Sequence, residues 1–116
     1  GVLAWSPIGR GVLTGKYRNG SPSDSRGASP HFSGFIAPYL DERSRKIVEA
    51  VCVASDGLGY SPLEVALSWV REGYGVTSAI VGARTAAQLR GILTVEEITL
   101  PDQVRAALDE ISTDIN

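Results

Sequence analysis

The residues best suited to chemistry lie in two short motifs, and the first is the run at residues 5–11, WSPIGRG. It follows an apolar segment, residues 2–5, that predicts a buried strand of a parallel sheet. Its glycines allow backbone N–H groups to approach an anion closely, and the Ser6 hydroxyl adds a hydrogen-bonding group. Trp5 can stack on a flat ring. A tight turn without a ligand accounts for the same residues, so the motif alone leaves both interpretations open.

The second motif, residues 81–89, joins the end of a predicted strand to the start of a helix. Thr85 is a candidate N-cap, with Gln88 three residues later. Unpaired N–H groups and the helix dipole favour an anion there, and Arg84 adds a planar, permanently charged group that suits phosphate. The alternative is a plain capped helix with a solvated arginine. Neither motif is the Gly-x-Gly-x-x-Gly fingerprint of dinucleotide-binding domains.

Other reactive residue types do not form a recognisable site. His31 and Cys52 are the only histidine and cysteine, which argues against a metal centre and against a nucleophile–histidine pair; we therefore assign no metal ligands. Cys52 falls on the apolar face of a predicted helix and is expected to pack in the core. The adjacent carboxylates at positions 41–42 and 96–97 point in different directions, so solvated surface explains them better than acid–base catalysis.

The elements that must position the two motifs follow from periodicity and capping signals. They are a strand at 2–5, a long flexible loop at 18–38, a helix from Asp41 to the glycines at 57–59, a helix capped by Ser61 and Glu64, a strand at 76–81, a short helix after Thr85, and a last helix after residues 99–102. The predicted apolar faces are Ile47, Val48, Val51 and Cys52; Leu63, Ala66, Leu67 and Val70; Leu89, Ile92 and Leu93; and Val104, Leu108 and Ile111. Trp69 is expected to pack beside the second of these faces.

Composition excludes several functional classes. The chain has 116 residues, 43% hydrophobic and 21% charged, with a net charge of -2. This charge argues against nucleic-acid binding, and no apolar run reaches the roughly 18 residues of a membrane span. One cysteine indicates a reducing, cytoplasmic location. The absence of Met and the apolar opening favour a piece of a longer protein, although a small domain with its Met removed is the alternative.

Strands that alternate with helices predict parallel βαβ units. With only two predicted strands, the sheet has edges that need neighbours. We therefore expect a slice of a larger α/β fold.

Together the two motifs resemble the aldo-keto reductase family. Residues 4–17 are similar to its seventh barrel strand and following loop, residues 62–70 to the helix before strand eight, and residues 76–89 to strand eight and its phosphate-binding turn. The subgroup resembled is that of bacterial reductases similar to potassium-channel β subunits. The resemblance implies the C-terminal portion of a (β/α)8 TIM barrel: the last two strands with their helices, incomplete as a barrel. Residues 1–116 would then be the C-terminal part of an NADP-dependent oxidoreductase domain.

The resemblance also implies a set of cofactor-binding residues. Trp5 would stack on the nicotinamide, and Arg84 would pair with the 2′-phosphate, which favours NADP over NAD. The pyrophosphate would be lined by Ser6, Pro7, Ile8, Gly9 and Arg10, with Lys16 and Arg26 folded over the phosphates and Gly82 and Gln88 at the adenosine end. The family often has Glu and Asn to hold the adenine where this chain has Gly91 and Ile92.

The activity implied is reduction of a small-molecule aldehyde or ketone to an alcohol. The family's catalytic Asp, Tyr, Lys and His come from earlier strands, so the resemblance assigns no catalytic residue here, and we expect the chain alone to be inactive. Two alternatives stay open: a redox-sensing binding module similar to a channel β subunit, and a non-functional truncated remnant. The sequence leaves the oligomeric state open.

Overall fold

The computed structural model describes residues 1–5, 7, 13–14 and 41–113. The elements within this part are β1 (Val2–Ala4), α1 (Glu42–Leu58), α2 (Pro62–Arg71), β2 (Val76–Ala79), α3 (Ala86–Leu93), a 3-10 helix (Thr94–Glu97) and α4 (Asp102–Ser112). Their order confirms the predicted alternation of strands and helices. The predicted loop at 18–38 lies outside the described residues.

Capping residues explain where the helices begin and end. At α1, the Asp41 carboxylate accepts a hydrogen bond from Ser44 N at 2.9 Å. Gly59 then ends the helix at a φ of 76°, a conformation that glycine adopts without the steric cost of a side chain. At α2, Glu64 N donates to Ser61 Oγ at 3.1 Å while Ser61 N donates to Glu64 Oε1 at 3.0 Å. This is the capping box that the sequence predicts.

These caps also perturb two carboxyl groups. Hydrogen bonds from Ser44, first from its side chain and then from its backbone, hold the pKa of Asp41 below its ordinary value. The Ser61 backbone hydrogen bond is the largest cause that lowers the pKa of Glu64. In both cases the donor stabilises the ionised form, which favours deprotonation.

The two strands form a parallel pair in the order β1-β2, with an irregularity in register. Val2 is opposite Val76 but Leu3 is opposite Ser78, so Thr77 is an extra residue on β2. The Thr77 hydroxyl compensates, because Val2 N donates to Thr77 Oγ1 at 3.1 Å. A side-chain oxygen therefore supplies the hydrogen-bond acceptor for Val2 N at the bulge, where the pairing of the strands is irregular.

The core lies around α2, which packs against β2, α1 and the 3-10 helix. Val65 is 0% exposed, and the cluster around it comprises Val51, Ala66, Ile98, Leu100 and Leu108. The predicted burial of Cys52 is confirmed at 5% exposed. Trp69 packs against the cluster and donates from Nε1 to Asp109 Oδ1 at 2.7 Å, which ties α2 to α4.

Burial differs from the sequence prediction in the sheet. The segment at 2–5 was predicted to be buried, but Val2 is 52% and Leu3 is 64% exposed. A parallel strand is buried by layers on both faces, and among the described residues β1 pairs only with β2.

The predicted helix faces and the segment before α4 also differ in burial. Ile111 is 39% exposed, because it lies in the last turn of α4 and beyond Leu108, the one buried residue of that helix. Conversely, Ile98 and Leu100 are buried although they precede α4 in an irregular segment.

A charged group on α2 holds that irregular segment in place. Glu72, at the end of α2, accepts a hydrogen bond from Leu100 N at 3.0 Å and pairs with Arg105 at 3.3 Å. Arg71 donates to the Ile98 carbonyl. These contacts give the backbone of the segment the hydrogen bonds that a strand or helix would otherwise supply.

Candidate functional site

The structure brings parts of both motifs to one edge of the sheet. Ala4 is opposite Ala79, and Ile80 N donates to the Ala4 carbonyl at 2.8 Å, one residue beyond β2. Trp5 and the segment after Ile80 therefore leave the sheet side by side. In parallel α/β folds, this carboxyl edge is where ligands bind.

Gly82 lies in the turn after β2, with open space around it. It is not among the glycines with positive φ, and a Cβ built on it meets no atom within 4 Å. Neither its own conformation nor contact within the described part of the chain therefore requires a glycine here. Close approach of a ligand to the backbone is a use of glycine that fits these observations.

The start of α3 is organised by two hydrogen bonds. Gln88 N donates to Thr85 Oγ1 at 3.1 Å, which confirms Thr85 as the N-cap. Arg84 N donates to Gln88 Oε1 at 2.8 Å. The N–H groups of Thr85, Ala86 and Ala87 have no acceptor in the part of the chain that the structure describes.

The charge at this helix start suits an anion. The first turn of α3 carries no acidic residue, whereas α1, α2 and α4 have Glu42, Glu64 and Asp102 in theirs. Arg84 is exposed, and its guanidinium pairs with no carboxylate within the described ranges. One turn thus carries unpaired N–H groups, the positive end of the helix dipole and an exposed arginine, all of which favour a phosphate.

The first motif is described only in part. Trp5 is 73% exposed beside the sheet edge, and Pro7 is half-buried in a turn. Six predicted cofactor residues lie outside the described residues: Ser6, Ile8, Gly9, Arg10, Lys16 and Arg26. The pyrophosphate contacts therefore stay a prediction from the resemblance.

The positions at which the family often holds the adenine have room here but lack the usual side chains. Gly91 is half-buried within α3, and a Cβ on it meets nothing within 4 Å. Ile92 is also half-buried. Neither residue offers the carboxylate or amide that the family often places there. The hydrogen-bonding groups that the structure describes near this turn belong instead to residues 82–88.

The described ranges contain no metal site, and their adjacent carboxylates do not form a buried pair. There, no three residues among His, Cys, Asp and Glu lie close enough together to hold a metal ion. The carboxylates at 41–42 and 96–97 are exposed. Among the helices described, none has the length and apolar character needed to cross a membrane.

Comparison with known proteins identifies the family. The Aldo/keto reductase family profile matches residues 1–113. The chain belongs to the aldo/keto reductase family. This confirms the resemblance drawn from the two motifs, and it places the chain in a family of NAD(P)-dependent, carbonyl-reducing oxidoreductases built on the TIM barrel.

Individual aldo/keto reductase relatives match along most of this chain. It is 32% identical over 113 residues to an L-glyceraldehyde 3-phosphate reductase of Escherichia coli O157:H7, covering 95% of this chain and 33% of the relative. It is 31% identical over 112 residues to a probable voltage-gated potassium channel subunit beta of Arabidopsis thaliana, covering 96% and 34%. Protein tas of Escherichia coli K12 is 34% identical over 111 residues, covering 95% and 31%. The chain thus spans about a third of the length of these relatives.

Proposed function

We propose that this chain binds NADP as part of a reductase that converts aldehydes or ketones to alcohols. The observation that carries the proposal is the turn from Gly82 to Gln88 at the carboxyl edge of the sheet, which combines a glycine with open space beside it, unpaired N–H groups and the exposed Arg84. When bound, reduced NADP supplies the hydride that the carbonyl carbon accepts.

The residues at this edge would hold the adenosine end of the cofactor. Arg84 would pair with the 2′-phosphate, a group that NAD lacks, and its planar fork matches phosphate geometry. Trp5 would lie against the nicotinamide. The pyrophosphate would be held by Ser6, Pro7, Ile8, Gly9 and Arg10, with Lys16 and Arg26 over the phosphates.

We further propose that β1 and β2 are the last two strands of a (β/α)8 barrel, with residues 1–116 as its C-terminal part. Two observations support this placement. The two-stranded sheet leaves Val2 and Leu3 exposed, as expected for strands that need parallel neighbours. The curated relatives are about three times as long as the matched region. A cytoplasmic location likewise stays a prediction.

Cofactor binding is tested most directly at Arg84. Isothermal titration of the 116-residue chain with NADP+ and NAD+ should show tighter binding of NADP+. Arg84→Ala should weaken NADP+ binding by roughly tenfold or more, because a charged phosphate contact is lost, and should leave NAD+ binding nearly unchanged. Arg90→Ala is the matched control, since Arg90 is an exposed arginine of the same helix that lies outside the proposed site. Equal effects of the two substitutions would reject the proposal.

Catalysis requires groups that the proposal does not assign to this chain. The purified 116-residue chain is therefore expected to show no oxidation of NADPH with a panel of aldehydes, measured by absorbance at steady state. Turnover above the no-enzyme background would overturn this part of the proposal and would require a general acid among the residues present.

A second candidate is a binding module that senses nicotinamide redox state. The similarity to probable potassium channel β subunits of Arabidopsis thaliana and Oryza sativa favours it. It predicts the same cofactor binding, but stoichiometric association with a purified potassium channel. Co-purification of the two, with binding altered by the oxidation state of the cofactor, would favour this candidate over the reductase.

A further inference from the structure

Two buried polar atoms on α2 make no hydrogen bond within the part of the chain that the structure describes. Ser68 is 0% exposed, and its Oγ is one of these atoms. The other is Nε of Arg71, three residues later. A buried polar group without a partner destabilises a fold, and native proteins rarely leave one unmatched. The two atoms therefore need a partner from outside α2.

The face of α2 that carries both residues packs against the 3-10 helix. Glu64, Ser68 and Arg71 are four and three residues apart, so they share this face. At one end of it, Glu64 Oε2 accepts a hydrogen bond from Thr94 Oγ1 at 3.1 Å. At the other end, Arg71 donates to the Ile98 carbonyl. Ser68 lies between these two contacts, which places its hydroxyl at the interface of the two helices.

The Ser68 hydroxyl differs from other serine hydroxyls on helices of this chain. Ser55, which is 2% exposed, donates to the Cys52 carbonyl of its own helix at 2.7 Å. Ser112 donates to the Leu108 carbonyl, also at 2.7 Å. A serine inside a helix can satisfy its hydroxyl in this way. Ser68 makes no such bond within α2, so its hydroxyl is available to a group at the interface.

The charges near the two atoms favour a neutral partner over an anion. Nη2 of Arg71 is 3.8 Å from Oε1 of Glu72, so the guanidinium already has a counter-charge. Glu64 places a second carboxylate on the same face of the helix. An anion would be repelled by both carboxylates. A water molecule carries no charge, and it can accept from an N–H while it binds a hydroxyl.

We infer that a water molecule is built into the interface between α2 and the 3-10 helix, bound by Arg71 Nε and the Ser68 hydroxyl. Arg71 Nε donates to the water oxygen, and the water bridges to Ser68 Oγ. Waters of this kind connect buried polar groups that the chain itself leaves unpaired. The water joins the two helices midway between the direct contacts of Thr94 and Ile98. Neither of its partners belongs to the proposed NADP site, so the inference does not depend on cofactor binding.

The test is oxygen-17 relaxation dispersion of water in solutions of the 116-residue chain. This measurement detects waters that a protein holds for longer than its tumbling time, and it is insensitive to exchange of hydroxyl or guanidinium protons. Ser68→Ala and Arg71→Lys each remove one partner, and the lysine keeps a donor for the Ile98 carbonyl. Each is expected to lower the number of long-lived waters by about one. Ser55→Ala is the matched control, because it removes a buried helical hydroxyl that has its own acceptor, and it should leave the number unchanged.

A crystal structure of the wild type that resolves ordered water decides the question even where a variant fails to fold. Density is expected within about 3.2 Å of both Ser68 Oγ and Arg71 Nε. A direct hydrogen bond between these two atoms, a bond from Ser68 to the Glu64 carbonyl, or a chloride ion at the position overturns the inference. An equal decrease in Ser55→Ala, or no decrease in Ser68→Ala, also overturns it. None of these results bears on NADP binding, which the titrations of Arg84→Ala test separately.

Discussion

At the scale of single residues, Gly82 is a glycine that the described fold does not require, so a substitution there tests ligand binding separately from stability. Its Cβ position is open and its φ is not positive. We therefore expect Gly82→Val to change the free energy of unfolding by less than about 1 kcal/mol, measured by urea denaturation. The same substitution should weaken NADP+ binding severalfold, since its side chain would occupy the space beside the proposed phosphate site.

Gly75 is the control, because its φ of 81° does need a glycine. Gly75→Ala should cost about 1–2 kcal/mol of stability and leave NADP+ affinity unchanged in the folded protein. Tight NADP+ binding by Gly82→Val would show that the ligand does not approach this backbone.

Thr77 provides a prediction about stability alone. Its hydroxyl accepts a hydrogen bond from Val2 N at the bulge, where the register of the two strands is irregular. Thr77→Val keeps the shape and the strand propensity but removes the acceptor, so we expect a loss of about 0.5–1.5 kcal/mol in urea denaturation. Thr77→Ser, which retains the hydroxyl, should lose less. The reverse order would mean that the bulge is held by packing.

The hydrogen-bonding roles that could be predicted from the sequence are those whose partners lie within four positions. Asp41 was predicted as the start of its helix, and the Ser61–Glu64 pair and Thr85 were predicted as caps, because a cap is made by neighbours in the chain. The acceptor role of Gln88 toward Arg84 was not predicted. The pattern Thr-x-x-Gln allows the glutamine side chain to accept either from the N–H of the cap Thr85 or from the N–H of Arg84 before it, and the choice depends on the backbone path out of β2.

At the scale of elements, α3 is the helix with the weakest support. It is eight residues long, has no buried residue, and contains Gly91 in its interior. Because the Cβ of residue 91 would meet nothing, Gly91→Ala should raise the free energy of unfolding by about 0.5–1 kcal/mol. Thermal or urea denaturation measures this. A loss of stability would indicate that α3 packs more closely in solution than its exposure implies.

The N-terminus of α2 gives the chain a pH-dependent contribution to stability. The pKa of Glu64 is lowered in the folded state, chiefly by the Ser61 backbone hydrogen bond. The stabilisation is therefore present above the ordinary pKa and is lost as pH falls through the lowered value. The wild type should lose more stability than Glu64→Gln between pH 6 and pH 3, in urea denaturation at several pH values. Parallel pH profiles would contradict this.

Element boundaries were predicted well where glycine, proline and cap residues mark them, and burial was predicted less well. The irregular segment before α4 has no periodic pattern, yet Ile98 and Leu100 are buried. Their burial depends on Glu72 and Arg71, about 28 residues away. Such non-local contacts leave no trace in a local window of sequence.

At the scale of the whole molecule, the core cluster and the sheet differ in burial. The core cluster is closed to solvent, with Val65 and Leu100 at 0% and 1% exposed. In and next to the two-stranded sheet, which also packs on α2, apolar residues are exposed, including Leu3 at 64% and Ile80 at 47%. The sequence pattern predicted a shortage of sheet, because two strands are too few to cover the apolar faces of several helices.

That exposed sheet predicts how the isolated chain behaves in solution. Unpaired strand edges with apolar side chains promote association, so we expect the 116-residue chain to self-associate at micromolar to millimolar concentrations. Sedimentation velocity over a concentration series measures this. Leu3→Lys, which places a charge on β1, should reduce the association. Val53→Lys is the matched control, because Val53 is 68% exposed but lies on α1. Equal effects of the two substitutions, or a wild type that stays monomeric throughout, would show that the sheet does not direct assembly.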